Sequence, residues 1–325
     1  MRSSSGEALQ NEYKSRINLV IDYIHRHYDE DLSVAKLAGI ACISKYHFQR
    51  IFQSIVGETV GDFSRRVRAY RAMHKLTADL DKSITDIALE CGFSSSQNFS
   101  KIFKSYFGLT PSFVRTEYHW RNWGVKMRCL QEKKIEDLQP AEWYLYNVYC
   151  NKRQLPIGKM PDSQAAPQVQ IKQMPAMHVA YIRTIGPHRR TIVDAKVKRL
   201  VQWARPKGLV QEGFRILVVR WCDTEITPED KWIHDVCITV PQSVKADRWV
   251  NVQTIPGGTY AIHHCQIGPD QHNEVWFNLI LNWLISSDYQ LDYRPFYQIY
   301  CSDPEANPLK NDILDLYLPV RPLYE

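Results

Sequence analysis

The chain has 325 residues, 44% hydrophobic and 23% charged, with a net charge of +6. That is the composition of a globular protein of about two domains, and it excludes disordered, collagen-like and low-complexity classes. The strongest apolar stretch, residues 275–285, is interrupted by Asn278 and Asn282 and falls short of the ~20 residues of a bilayer span; the first seven residues lack a secretory pattern, so a cytoplasmic chain with no membrane partner is expected.

The charge is uneven. Residues 1–120 carry +3, residues 121–166 another +3, and residues 167–325 none. The excess in the first half is compatible with nucleic-acid binding and too small to establish it.

In chain order, Ser33 precedes a short helix over residues 34–40 that buries Leu37 and Ala38. Ala41-Cys42-Ile43 reads as a tight turn. Ser44 then caps a helix whose apolar face is Phe48, Ile51, Phe52 and Ile55, at spacings of three and four. Thr59-x-x-Asp62 opens a longer helix to Thr77, with Phe63, Val67, Tyr70 and Met73 or His74 along one stripe. Ser83-x-x-Asp86 matches a capping box, and Gly92-Phe93 makes a turn. The next helix buries Phe99, Ile102 and Phe103, and Thr110-Pro111 starts another. Residues 37–44 recur at 87–94, an offset of 50, and residues 48–59 recur at 99–110, an offset of 51. Two short helices joined by a tight turn form a helix-turn-helix, and this stretch contains two.

Opposite the first buried stripe lie Tyr46, Gln49 and Arg50; opposite the second lie Ser96, Gln97, Asn98 and Lys101. Arginine can bond guanine O6 and N7, and glutamine or asparagine can read adenine N6 and N7. An ordinary solvated face is the alternative for one isolated helix; duplication favours contact with double-stranded DNA. The first helix is expected to dominate specificity and the second to add phosphate contacts. Arg65, Arg66, Arg68, Arg71 and Lys75 crowd the joining helix, where phosphate neutralisation and a solvated face stand equally.

These residues resemble the DNA-binding domain of the AraC/XylS family of transcription regulators. The resemblance runs over residues 14–118. It is carried most clearly by Ile84-Thr-Asp-Ile-Ala88, Glu90-Cys-Gly-Phe93, Phe99-Ser-Lys-Ile-Phe103 and Phe107-Gly-Leu-Thr-Pro-Ser112. The one departure is Phe113-Val114-Arg115, where the aromatic stands one residue early. The resemblance implies base contacts at the positions named above.

Trp120, Trp123, Trp143, Tyr144, Tyr146 and Tyr149 make residues 119–166 an aromatic connector rather than a plain tether, with a hinge at 154–167. Beyond it, residues 169–184 alternate like a strand broken at Pro175 and end in Ile185-Gly-Pro187. A helix over 191–205 and strands at 215–221 and 235–240 follow. The order then repeats: a strand over 252–267 ending in Ile267-Gly-Pro269, a helix over 273–286, and strands at 294–300 and 312–318. The two triplets are 82 residues apart, and Pro241 and Pro319 are expected to end corresponding strands.

This half resembles the GyrI-like small-molecule-binding domain. Val179-Ala-Tyr-Ile-Arg183, Pro256-Gly-Gly-Thr-Tyr-Ala261, Trp276 to Trp283, Phe296 to Tyr300 and Leu316-Tyr-Leu-Pro319 carry the likeness. The whole is similar to Rob-type AraC regulators. The expected architecture is multidomain. It comprises an all-α double helix-turn-helix domain (10–118), the connector (119–166), and an α+β GyrI-like domain (167–325) of two β-α-β-β repeats. The resemblance implies a bulky hydrophobic effector, with Tyr181, Trp221, Tyr260, Trp276, Phe296, Gln298, Tyr300 and Asp315 as candidate contacts. For each aromatic, core packing is the plainer alternative. GyrI-like sensors of organic cations have a buried glutamate two residues before a tyrosine; here Gln298 precedes Tyr300. A neutral amide cannot balance a buried cation, so the effector is either neutral or a cation balanced by Asp315.

The eight cysteines include no closely spaced pair, and His263, His264 and Cys265 alternate across a strand, so no metal and no other cofactor is expected. No catalytic group is expected either. A GyrI-like hydrolase fused to a DNA-binding domain, using Glu274, Asp292, Tyr300 or Asp315, is the alternative function. An architectural DNA-bending protein without effector is a third. The effector signal has two open routes, altered domain docking or contact with RNA polymerase.

Overall fold

The computed structural model describes residues 2–117, 167–222, 227–268, 271–284, 287–301 and 312–322. The connector aromatics and the hinge from Gln154 lie outside the described residues.

Among the described residues the helical half has seven helices: α1 (Arg2–Arg26), α2 (Val34–Ile40), α3 (Lys45–Val56), α4 (Val60–Ala78), α5 (Ile84–Glu90), α6 (Ser96–Phe107) and α7 (Pro111–Glu117). Ser33, Thr59 and Ser83 cap where the sequence places them, Ser95 caps α6 where no cap is expected, and Ser44, the expected cap of α3, makes no side-chain cap bond. The Ser33, Thr59, Ser83 and Ser95 side chains each accept a backbone N–H of the first turn, and Ser83 with Asp86 completes a capping box. Each such bond satisfies an N–H that the helix itself leaves unpaired. Helix α1 has no such announcement. Its stripe of Ile17, Val20, Ile21 and Ile24 packs on Phe48, Phe52 and Phe63 to form the first core. The second core gathers Phe93, Phe99, Phe103 and Phe107 around Ala69, Ala72 and Leu76. Helix α4 therefore lends its first half to one core and its second half to the other. At the departure after Ser112, Val114 takes the buried position and Phe113 is only partly covered.

Among the described residues the second half is an antiparallel sheet of nine strands: β1 (Gln170–Met174), β2 (Met177–Ile185), β3 (Ile216–Arg220), β4 (Ile233–Thr239), β5 (Asn251–Ile255), β6 (Gly258–Ile267), β7 (Tyr289–Leu291), β8 (Phe296–Tyr300) and β9 (Asp312–Pro322). Helices α8 (Arg190–Ala204) and α9 (His272–Asn278) follow β2 and β6, and α9 runs on into a π-helical turn, Leu279–Trp283. The strand order is β1-β6-β9-β8-β3-β4-β2-β5, with β7 on β9.

This order gives the two repeats a common logic. Pro175 and Pro256 break the first strand of each repeat, because proline cannot donate to the ladder. The arm before the break crosses to the other repeat: β1 pairs with β6, and β5 with β2. The repeats meet at the centre through β3 and β8. Pro319 does not end its strand. Strand β9 runs through it to Pro322, with Pro319 opposite Tyr260 and Val320 opposite Leu291. Both helices cover one face of the sheet, α8 over Ala180, Val218 and Val236 and α9 over Leu314, Leu316 and Leu318. No described helix is long and apolar enough to cross a membrane.

Candidate nucleic-acid interface and effector site

Helices α3 and α6 bury Phe48, Phe52 and Val56, and Phe99, Phe103 and Phe107, respectively. That leaves the opposite stripes to solvent. Tyr46 is 73% exposed, Gln49 and Arg50 are exposed beside it, and the Arg50 guanidinium lies 5.8 Å from the Tyr46 ring. On α6, Gln97, Asn98 and Lys101 are exposed and Ser96 is half-buried. Asn98 donates to Ser94 Oγ at 3.2 Å. Among the described residues no hydrogen bond or ion pair engages Gln49, Arg50, Gln97 or Lys101. Their donors and acceptors are available to a partner, as base reading requires.

The cations of α4 are arranged differently from either sequence reading. Arg66 is buried against Glu58. Arg68 donates to the carbonyls of Tyr28 and Glu30. Arg71 donates to the carbonyls of His25 and Tyr293, and Lys75 pairs with Glu90. Only Arg65, paired with Asp62, remains exposed. These groups stitch the fold together.

The effector candidates divide into two sets on opposite faces of the sheet, because alternate residues of a strand point opposite ways. Under α9, Trp276 stacks on Phe296 at 5.9 Å and its Nε1 lies 3.5 Å from Gln298 Oε1. Gln298 donates onward to the Tyr300 hydroxyl at 3.3 Å. Tyr181, Trp221 and Tyr260 lie on the helix-free face, joined there by Tyr297 and Tyr317. Asp315 shares that face but sits apart, accepting from His264 Nδ1 at 2.7 Å. It is therefore no counter-charge for a cation beside Gln298.

Sequence reasoning missed three histidines on the helix-bearing side. His188 lies 4.8 Å from His234 and 6.2 Å from His272, ring to ring. Burial, with Arg220 nearby, drives His188 down to about 2, and burial drives His234 down to about 3, so both are neutral at physiological pH. Beside them Asp312 is buried against Arg190 at 2.6 Å. No chain spacing links these histidines: His188 and His234 come from the first repeat and His272 from the second.

Part of the helix-free face is covered by the helical half, where Ile233, Ile185 and Trp221 pack into the first helical core. Arg183 on β2 lies between Asp235 of its own sheet and Asp22 of α1, 2.7 Å from a carboxylate oxygen of each, all three side chains at most 2% exposed. Tyr181 Oη donates to Asp22, while Trp221 Nε1 and Gln253 Nε2 donate to Asp235. Burial is the largest influence on Asp22 and raises its pKa; Arg183 acts against it. Asn18 donates to Asn251 at 3.1 Å, and Arg321 pairs with Asp79 at 2.6 Å. A cleft beside this contact is lined by His25, Arg71 and His74 from the helical half and by Trp221, Tyr293 and Phe296 from the sheet half.

Comparison with known proteins matches residues 37–117 to a helix-turn-helix domain model and residues 167–321 to the GyrI-like small molecule binding domain. Among curated relatives, the regulatory protein SoxS of Salmonella typhimurium is 33% identical over 99 residues, 30% of this chain and 92% of SoxS. The transcriptional regulator Rob of the same organism is 34% identical over 106 residues, 32% of this chain. That match spans only 36% of Rob's own length. A crystal structure of an AraC-type transcriptional regulator from Chromobacterium violaceum aligns at 27% identity and a TM-score of 0.30, covering 32% of this chain and 92% of that one. The duplicated helix-turn-helix, its matched relatives and the GyrI-like domain behind it place the chain in the AraC family, with the domain order of Rob-type regulators.

Proposed function

We propose that this protein is a sequence-specific DNA-binding transcription regulator under the control of a hydrophobic, uncharged small molecule. The observation that carries the DNA reading is the pair of solvent-facing stripes, Tyr46-Gln49-Arg50 and Gln97-Asn98-Lys101, presented by two equivalent helices. Selection of binding sites from a random DNA pool tests it. The native chain enriches a two-part site, and the Gln49→Ala, Arg50→Ala variant loses one part. Failure to enrich any sequence at low salt removes the reading. Helix α4 has 19 residues, a length of about 28 Å, against ~34 Å between successive major-groove faces. One chain then spans two adjacent grooves by bending the DNA toward itself. Unchanged DNA curvature in a circular-permutation mobility assay contradicts the bend.

The effector seat is the packed cluster of Trp276, Phe296, Gln298 and Tyr300 on the helix-bearing side of the sheet. An amide at its centre and two neutral histidines at its edge suit a neutral aromatic or polycyclic molecule. The π-helical turn after α9 supports the assignment, since such turns accompany functional sites. Phe296 both stacks on Trp276 and lines the cleft shared with α4. This gives a bound effector a packed route to the helix that joins the two recognition units. Tryptophan quenching across neutral and cationic hydrophobic compounds tests the seat. Saturable quenching by neutral compounds, lost in Trp276→Leu, is expected. No saturable response to any compound makes the domain purely structural.

Of the carboxylates of the enzyme alternative, Asp292 is engaged by Arg294 at 2.8 Å and Asp315 by His264. RNA polymerase remains the partner through which DNA occupancy would alter transcription.

A further inference from the structure

Strands β6, β9 and β8 run side by side in the second repeat. His264 on β6 stands directly opposite Asp315 on β9, and Asp315 stands opposite Ile299 on β8. Cys301 is two residues beyond Ile299, and its backbone N–H donates to Ile313 at 2.9 Å, which keeps it in the ladder. One imidazole nitrogen, one thiol sulfur and one carboxylate oxygen thus converge from three strands, all within 4.8 Å of one another. His264 Nδ1 and Asp315 Oδ1 are 2.7 Å apart.

The geometry points to a divalent metal site at His264, Cys301 and Asp315, with zinc as the fitting ion. A nitrogen, sulfur and oxygen donor set is a zinc set. Zinc holds these donors at about 2.0–2.3 Å, so tetrahedral neighbours lie ~3.3–3.8 Å apart. The histidine–aspartate pair must open slightly and the sulfur must close in by about 1 Å. Such shifts are within side-chain rotation, while the backbone positions are fixed by the ladder. Three protein ligands leave a fourth position free. It faces an open basin of about 1,090 Å³ lined by Phe214, Arg215, Ile299 and Tyr317, where water or an exogenous donor completes the sphere. Binding releases the thiol proton to solvent and leaves a thiolate on the metal. The ion would clamp three strands of one repeat to one another. Chain spacing gives no hint of this, because the ligands are 37 and 14 residues apart along the sequence. The adjacent Cys265 takes no part, being turned to the other face and packed there with Leu314 and Leu316.

The test uses the full-length chain without a histidine tag, stripped of metal. Cobalt(II) is titrated as the spectroscopic probe and then displaced by zinc. One equivalent should give sulfur-to-cobalt charge-transfer absorption in the near ultraviolet. Cys301→Ser should abolish that band, His264→Ala should weaken apparent affinity at least about tenfold, and Cys265→Ser should leave both unchanged. In the unsubstituted chain, zinc should shield Cys301 from alkylation and leave the exposed Cys42 reactive, a readout that no folding defect can imitate. A charge-transfer band that survives Cys301→Ser, no band at all, or equal alkylation of Cys301 with and without zinc would each overturn the site.

Discussion

Cys42 sits in the left-handed region, φ 52°, the only described non-glycine residue with a positive φ. Fifty residues on, the corresponding turn of the second helix-turn-helix has Gly92, φ 78°. One turn thus keeps the residue that tolerates the conformation, while the other holds a side chain against its preference. Cys42→Gly is expected to stabilise the helical half by about 0.5–1 kcal/mol, read by urea denaturation. Gly92→Ala is expected to destabilise by more than that. Its φ is wrong for alanine, and the new Cβ would lie 2.9 Å from the Arg68 guanidinium, which is already committed to two carbonyls. Arg183 offers a second contrast. Arg183→Leu leaves Asp22 and Asp235 buried without their cation and is expected to cost about 3 kcal/mol or more. Asp22→Asn leaves one cation against one anion, with the amide oxygen accepting from Arg183 and the amide N–H donating to the Tyr181 hydroxyl, and is expected to be mild. The raised pKa of Asp22 means that the folded state holds its proton more tightly than the unfolded chain. Its contribution is therefore present at low pH and lost as pH rises through the shifted value. Asp22→Asn should remove that part of the pH dependence in thermal melts from pH 4 upward. Caps such as Ser83-x-x-Asp86 were readable because both partners lie within one turn. Asp22 was not, because Arg183 is 161 residues away.

At the scale of elements, readability follows the range of the interactions that define them. The helix-turn-helix units carry their caps and turns in adjacent residues, so their outlines could be read directly. Helix α1 carried its signal too, in Ile17, Val20, Ile21 and Ile24, but without a cap residue to mark its start. The repeated β-α-β-β order was readable; the exchange of arms between repeats was not, since it depends on which strand lies beside which. Strand β9 passes through Pro319, which stands opposite Tyr260, a matter of pairing rather than composition. The two-faced division of Tyr181 from Gln298 likewise required the register. The clustered histidines make the fold sensitive to acid. His234 titrates near 6.5 in the unfolded chain and at about 3 in the fold. The unfolded state therefore binds the proton first, and stability falls as pH drops below 6.5, by up to about 1.4 kcal/mol per pH unit for this one group. His234 is 3% exposed and its Nε2 has no hydrogen-bond partner. His234→Phe should therefore be tolerated at pH 7 and should lose less stability than the native chain between pH 6.5 and 5. An equally steep acid limb in the variant would place the titration elsewhere.

Across the whole molecule, the net charge says little about how strongly DNA is held; what matters is which cations are free to meet phosphate. The α4 cations read equally as phosphate contacts or as a solvated face, yet the structure commits Arg66, Arg68, Arg71 and Lys75 to carboxylates and carbonyls within the fold. The remaining exposed cations on the recognition helices are Lys45, Arg50, Lys101 and Lys104. Lys101 and Lys104 continue the line of Gln97 on α6, at spacings of four and three, and so share one face. Each phosphate neutralised contributes ~0.9 to the slope of log K against log salt. Binding by one chain is then expected to show a slope between about −3 and −4. Replacing Lys101 and Lys104 with alanine should flatten it by about 2, while replacing Arg65 and Lys75 should leave it unchanged. Arg50→Ala should differ in kind: it should relax preference at one base position in addition to any change in slope, because a bidentate reader carries sequence information that a phosphate contact does not. Equilibrium binding to the selected site at four salt concentrations separates these outcomes. A slope steeper than about −6 would mean that the cations of α4 leave their internal partners when DNA arrives, and the domain contact built on α1 and α4 would then have to open with them.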